Sequence, residues 1–247
     1  MSKPLITITN ISKRYNQAHE YSLHNVSLEI MAGEKFGILG PNGAGKTTLI
    51  SILCCIQKQT EGTYSYNLEN LTHSTQSILG FVPQDFAFYE ELTAIQNLEY
   101  FAALYNIPRK TITTRCMHVL QTLGLDTVAR KKVRTFSGGM KRRLNLAIGI
   151  IHQPAILFLD EPTVGVDIQS KNAIITYLNE LNAQGTTIIY TSHHLSEAEH
   201  FCNTIAIIDY GKIIACDSVE QLKEKHNAAN LKEVLLELTG EGYRDNV

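Results

Sequence analysis

The chain has 247 residues, 44% hydrophobic and 19% charged, with 22 Lys+Arg against 24 Asp+Glu and a formal net charge of -2. That length and apolar content suffice to bury a substantial core, in one large domain or one domain with an insertion, and exclude a disordered chain. The charge balance excludes a polybasic nucleic-acid binder held by bulk charge, while leaving room for a local basic patch.

In chain order, Met1-Ser2-Lys3-Pro4 leads into Leu5-Ile6-Thr7-Ile8, which alternates like a strand. This start lacks the long apolar stretch and small-residue cleavage site of a signal peptide. No apolar run approaches the roughly 18–20 residues that span a bilayer. The expectation is a protein that stays in the cytosol and meets membranes only through a partner. Strand-like runs recur at residues 5–9, 26–30, 35–39, 62–66, 78–82, 156–160, 186–191, 204–209 and 212–215, with Gly33 and Gly211 at tight turns. Helical patterns intervene. One starts near Thr93 and carries Ile95, Leu98, Phe101, Ala102 and Tyr105 at spacings of three and four. Another runs from about Thr113 to a terminal Gly124. Others start after Ser137, after Asp167 (ending near Gly185) and near Ser196.

This mixture predicts an α/β fold with a mostly parallel central sheet. The first strands, through about Tyr66, read as a small antiparallel sheet of their own. Residues 85–149 read as almost wholly helical. The expectation is a single domain over 1–240, its core at about 1–84 and 150–225, a helical subdomain inserted at about 85–149, and a C-terminal helix and tail at 226–247. Cys54, Cys55, Cys116, Cys202 and Cys216 are odd in number and include no C-x-x-C pair, so neither a disulfide framework nor a zinc site follows. Buried or half-buried free thiols are expected. The nine histidines include His193-His194 but no pair spaced to hold a metal in an all-protein cage.

Gly40-Pro41-Asn42-Gly43-Ala44-Gly45-Lys46-Thr47 matches the P-loop pattern, between an apolar strand and a helix beginning at Thr48-Leu49-Ile50. The chemistry needs each part. The glycines let the backbone wrap closely around phosphate, and successive N–H groups at a helix N-terminus point at the anion. Lys46 is the candidate to neutralise β and γ oxygens, and Thr47 offers a hydroxyl to Mg²⁺. Residues 155–161 form an apolar strand ending in two carboxylates. Asp160 is the candidate to hold Mg²⁺ through water. Glu161 is the candidate to accept a proton from an attacking water. The plainer alternative is a strand that ends in solvated charge.

Further motifs carry a resemblance. Phe136-Ser137-Gly138-Gly139-Met140, Phe81-Val82-Pro83-Gln84, Ile189-Tyr190-Thr191-Ser192-His193 and Val164-Gly165-Val166-Asp167, with Tyr15 upstream, resemble in order and spacing the signature, Q-loop, switch histidine, D-loop and A-loop of ATP-binding-cassette (ABC) proteins. The likeness runs from about residue 5 to 240. It implies a P-loop NTPase fold and an active ATPase using ATP and Mg²⁺. In this resemblance Tyr15 stacks on adenine; Lys46, Thr47 and Thr48 hold phosphates and metal; Gln84 contacts Mg²⁺ and the nucleophilic water. Glu161 is the general base and His193 contacts the γ-phosphate. Ser137 and Gly139, with Gly138 between them, face the γ-phosphate of a second subunit, and Asp167 belongs to the D-loop. Plainer roles stand beside these: Tyr15 as a surface aromatic, and Asp167 as a helix N-cap. Met140, where Gln is usual, and Ile168, where Pro is frequent, leave the catalytic positions intact; Ile168 is expected only to loosen the start of its helix.

One cassette per chain implies a homodimer, or a heterodimer with a related subunit, working with a membrane permease at the inner face of the cell membrane. The run from Ser137 to Asp167 and the tail at Leu231 resemble the drug, sodium and polysaccharide exporter branch. An importer subunit, or a soluble cassette acting on ribosomes or DNA, remain the alternatives. No nucleic acid is expected as a partner, since the chain has no second cassette and no heptad stretch. Phe86, Phe88 and Tyr89 are either a docking groove for the permease or the core of the helical insertion. Lys131-Lys132, Arg134 and Lys141-Arg142-Arg143 are either a solvated face or a source of positive potential for the partner's ATP.

Overall fold

The structure, a computed structural model, describes residues 3–15, 20–68 and 78–240. It divides into two compact units: Met1–Thr72 with Thr187–Val247, and His73–Thr186.

The first unit holds two sheets. β1 (Ile6–Lys13) pairs antiparallel with β2 (Leu23–Ile30) on one side and β4 (Glu61–Tyr66) on the other. Ile6, Ile8 and Ile11 are buried, with the pairing shifting register between Ile8 and Ile11, where Asn10 takes a left-handed backbone. Such a bulge swings the strand so that alternation can resume on the buried face. Gly62 lies across from it, where a side chain would collide with the Asn10 carbonyl. β3 (Lys35–Leu39), although it lies between β2 and β4 in sequence, joins the other sheet. There it pairs parallel with β7 (Thr187–Ser192) and β8 (Thr204–Asp209), and β9 (Lys212–Ser218) closes the edge antiparallel to β8. All six residues of β7 are buried, as a strand covered on both faces requires.

Among the described residues, four helices complete the unit: α1 (Lys46–Leu53), α6 (Leu195–Phe201), α7 (Val219–Lys225) and α8 (Leu231–Thr239). The last presents Leu231, Val234 and Leu235 to the interior, with Leu238 only half-buried, and is capped by Asn230. Residues 241–247, within the expected tail, lie outside the described residues.

The second unit contains the parallel pair β5 (Leu79–Val82) and β6 (Ile156–Asp160), with α2 (Ala94–Leu104), α3 (Arg109–Thr122), α4 (Gly138–Ile150) and α5 (Ile168–Ala183). Between Asp85 and Gly149 the regular elements are all helical. Gly80 and Gly149 let α4 lie directly on β5: a side chain at Gly80 would sit 2.5 Å from the Gly149 carbonyl. α3 starts at Arg109, four residues before the expected Thr113. The run Thr111-Ile112-Thr113-Thr114 has weak helix propensity, but burial of Cys116, Val119 and Leu120 overrides it. The helix ends as expected at Gly124, with Leu125 N–H donating to the Leu120 carbonyl (2.7 Å) and Gly124 N–H to that of Gln121 (3.0 Å).

All five cysteines are free, as expected; Cys116 and Cys202 are buried and Cys54 is half-buried, while Cys55 and Cys216 are exposed, contrary to the expectation that each would be buried or half-buried. Among the described residues no helix is long and apolar enough to cross a membrane.

Candidate functional site

The sequence-predicted residues fall into two groups, one in each unit. The first group surrounds the loop between β3 and α1. Gly43 and Gly45 take positive φ (78° and 110°), which turns the chain back on itself before the helix. A side chain at Gly45 would lie 2.6 Å from the Ser22 carbonyl, and one at Gly40 would collide with the Ile208 carbonyl. Gly40, Pro41 and Ala44 are buried, while Asn42, Gly43 and Thr47 face outward. Lys46 is 5% exposed, and its ammonium donates to the carbonyls of Gly40 (2.7 Å) and Pro41 (3.1 Å). A cation is thus held across a glycine loop that opens onto a helix N-terminus with no side-chain cap. The first N–H groups of a helix and its positive dipole end favour an anion there.

Tyr15 lies beside this helix. Its hydroxyl is 3.3 Å from Thr48 Oγ1 and donates to Gln57 Oε1 (2.9 Å), and Lys13 Nζ stands 5.2 Å from the ring centre. The residue is 40% exposed, beside the head of α1. His193 follows β7, half-buried, its ring 4.1 Å from that of exposed His194. Ser192 Oγ accepts from the His194 N–H (2.9 Å), and buried Tyr190 donates to Glu197 at the head of α6. Both contacts fix the register in which His193 leaves the strand.

The second group lies at the end of β6. Asp160 and Glu161 are 2% and 5% exposed, so the plainer reading of a strand ending in solvated charge is set aside. Glu161 adopts φ 49°, a left-handed backbone that a side chain tolerates poorly. This turns Glu161 out of the strand alternation that Asp160 still obeys. The Gln84 amide donates to Glu161 Oε2 at 3.4 Å. The chain then turns through Val164 and Gly165 to Asp167, whose carboxylate accepts from Ser170 N (2.9 Å) and Ser170 Oγ (2.9 Å). Those two donors hold its pKa below the usual carboxylate value. Asp167 is therefore an N-cap, and α5 starts at Ile168 directly after it.

Ser137 caps α4, accepting from Met140 N–H at 3.3 Å. Ser137 and Gly138 are exposed, whereas Gly139 is buried against the Asp167–Ser170 cap.

Three buried polar residues of this unit have partners that the sequence reading did not anticipate. Arg142, read as part of a basic run, is 7% exposed; burial lowers its pKa, and Asp85 and Glu161 partly restore it. Its neighbours are also engaged: Lys141 pairs with Glu90, and Arg143 donates to the Leu123 carbonyl (2.8 Å). This run is not a solvated face. Asn145 (1% exposed) and Asn97 (0%) are amides inside helices, each bonded to loop backbone. Asn within the apolar run Leu144-Asn145-Leu146-Ala147 was the available signal.

The aromatic cluster after Gln84 lies at the surface. Phe86 is 41% and Tyr89 51% exposed, and Phe86 stacks on Phe88 with ring centres 5.1 Å apart. It is not the core of the helical region. No group of three or more His, Cys, Asp or Glu among the described residues is placed to hold a metal ion. Mg²⁺, which keeps several waters and takes only one or two carboxylates beside phosphate oxygens, needs no such group. The hydroxyl of Thr47 and the carboxylate of Asp160 are hard oxygen donors of the right chemistry.

A sequence model of the family described as ABC transporter matches residues 23–164. The chain is 36% identical over 244 residues to the linearmycin resistance ATP-binding protein LnrL of Bacillus subtilis (strain 168), covering 98% of this chain and 76% of that protein. It is 33% identical to the daunorubicin resistance ATP-binding protein DrrA3 of Streptomyces coeruleorubidus, with 96% and 75% covered. Among solved structures, a dimeric ATP-binding cassette in a post-hydrolysis state, bound to ADP and phosphate, superposes with a TM-score of 0.77. It is 27% identical, with 86% of this chain and 98% of that chain covered.

Proposed function

We propose, on the premise that this chain belongs to the ABC transporter family as one of its ATP-binding proteins, that it hydrolyses ATP to drive export of a substrate through a separate permease subunit. The observation that carries the reading is the glycine loop at the head of α1, with Lys46 buried across it. It is a cradle for a polyphosphate and for little else. The likeness to two antibiotic resistance proteins supports the exporter branch.

Each residue has a role in this reading. Tyr15 stacks on the base. The N–H groups of residues 42–48 and the Lys46 ammonium bind the phosphates. Mg²⁺, which would neutralise charge on the phosphate oxygens when bound, would be held by Thr47 and Asp160, with Gln84 contributing. Glu161 accepts the proton of the attacking water, and Gln84 and His193 orient that water and the γ-phosphate. Ser137, Gly138 and Gly139 meet the γ-phosphate held by a second protomer, and Asp167 supports that edge by capping α5. Two copies, or one copy and a related subunit, thus complete two sites. Nucleotide joins them and hydrolysis releases them.

The helical stretch 85–149 is the subdomain facing the permease, with Phe86, Phe88 and Tyr89 receiving it. The protein accordingly sits at the inner face of the membrane, held there by that partner.

Affinity purification tests the reading. Recovery of a membrane permease, together with Mg²⁺-dependent ATPase activity in the complex, is expected. Recovery of ribosomal or chromosomal material without a permease would overturn it, as would a purified complex inert toward ATP.

A further inference from the structure

The signature helix α4 carries two buried polar side chains on one face, Arg142 and Asn145, three positions apart. That face grips the loop around Gln84 from both sides. Asn145 Nδ2 donates to the Pro83 carbonyl (2.9 Å), and Asn145 Oδ1 accepts from Ala87 N–H (3.2 Å). Arg142 Nη1 donates to the Gln84 carbonyl itself (2.6 Å). Arg142 Nη2 donates at 3.4 Å to the carbonyl of Val164, in the turn that follows Glu161. The guanidinium carbon stands 4.8 Å from the centre of the half-exposed Phe86 ring. One planar group thus touches the glutamine's own carbonyl, the turn after the carboxylate and the surface aromatic.

We propose that Arg142 and Asn145 form a clasp that makes the signature helix and the Gln84 loop move as one piece. In it, Arg142 is a positioning residue that sets Gln84 against Glu161 in step with the state of Phe86. The inference rests on the role given to Glu161 above.

The geometry favours this over a purely structural tie. Asn145 alone pins the loop backbone on both sides of Gln84. Arg142 adds the cost of a buried charge, and its Nε is buried with no hydrogen-bond partner among the described residues. A buried ion with incomplete hydrogen bonding is a poor stabiliser, and replacing one with an apolar group of similar volume is often neutral for folding. A stability role would therefore be better filled by methionine. The two carbonyls Arg142 spans belong to the two segments that hold the glutamine and the carboxylate.

The test is Arg142→Met in the permease complex, with Glu161→Gln in parallel. The expected result is a melting temperature close to that of the parent, KM for ATP within about threefold, and kcat lower by about tenfold or more, the pattern of lost transition-state positioning. Combining Arg142→Met with Gln84→Ala should cost no more than the worse single change, since both act through one amide. Parent-like kcat in Arg142→Met, or losses that multiply in the double variant, would overturn the clasp. Should Arg142→Met fail to fold, Arg142→Lys is read by the same criteria, because it keeps the charge but cannot span two carbonyls. An inactive Glu161→Gln beside a fully active Arg142→Met sinks the clasp alone. A fully active Glu161→Gln sinks the assignment of the base.

Discussion

Glu161 combines the reactive role proposed for it with a strained backbone, and two substitutions separate them. Glu161→Gln keeps the shape and the φ of 49° but removes the basic oxygen. Loss of a general base costs about 10²–10⁴-fold in turnover, or about 2.7–5.4 kcal/mol of barrier at 1.36 kcal/mol per decade. Glu161→Gly removes the same charge and also relieves the backbone. A left-handed conformation costs a side-chain-bearing residue roughly 1–2 kcal/mol, while glycine's extra freedom in the unfolded chain takes back about 0.5–1 kcal/mol. The glycine variant should therefore be the more stable of the two by about 0.5–1 kcal/mol. For a chain of this size that is about 1–4 °C in Tm. Steady-state ATPase assays and thermal melts of both purified variants check this. Both should be inactive, and only the glycine variant should melt higher. A glycine variant that melts several degrees below the glutamine one would show that the side chain anchors the turn rather than straining it, and the argument from φ would fail.

Lys46→Ala removes the ammonium held on the carbonyls of Gly40 and Pro41; nucleotide affinity measured by titration calorimetry should fall by at least about tenfold, since a charge-assisted contact to phosphate is lost. His152 is half-buried with its ring stacked 3.7 Å from Tyr105 and its Nε2 2.9 Å from the Leu79 carbonyl, and desolvation lowers its pKa below 6.5. The unfolded chain therefore binds the proton first as pH falls. The stability this residue contributes is complete above pH 6.5 and is lost as pH drops through the folded value. Melting curves between pH 7.5 and 5 should fall more steeply for the parent than for His152→Phe, and parallel curves would refute it. Phe88→Ala takes away the ring that stacks on Phe86; in the permease complex, substrate moved per ATP hydrolysed should drop, whereas an unchanged ratio would place docking elsewhere.

The sequence was most legible where structure is decided locally. The phosphate loop is a pattern of glycines that must turn sharply and a lysine fixed at the helix start, so neighbours along the chain suffice to read it. The same holds for Ser137 and Asp167, whose side chains cap the helices that directly follow them. Local reading failed where distant packing decides. Three threonines and an isoleucine concealed the first turn of α3, and α7, only seven residues long, left too short a period to register. Arg142 failed for a different reason. A basic triplet has no periodicity that tells a buried guanidinium from an exposed ammonium, and its partners are 22 and 58 positions away in the chain. Asn145 was hidden likewise, because its partners at Pro83 and Ala87 lie in a loop that only the folded chain brings near.

The two glycines of the signature show how far a motif can be read without its surroundings. The family resemblance assigns Gly139, with Ser137, to the γ-phosphate of a second subunit and leaves Gly138 merely between them. Their environments differ. A side chain at Gly138 would meet nothing nearer than the Gly165 carbonyl at 3.8 Å, an ordinary contact. A side chain at Gly139 would collide with Ser170 Oγ and lie 2.8 Å from Asp167 Oδ2, in the middle of the cap of α5. Gly139 is therefore required by the fold, whatever it does for nucleotide. Gly138→Ala should keep the parent melting temperature and change only ATP-driven dimerisation. Gly139→Ala should destabilise the cap, whose loss costs about 0.5–2 kcal/mol, and overpacking adds to that. Thermal melts without nucleotide decide between them. Equal melting temperatures for the two variants would mean that the packing around Gly139 yields easily, and the glycine would then owe its place to the ligand after all.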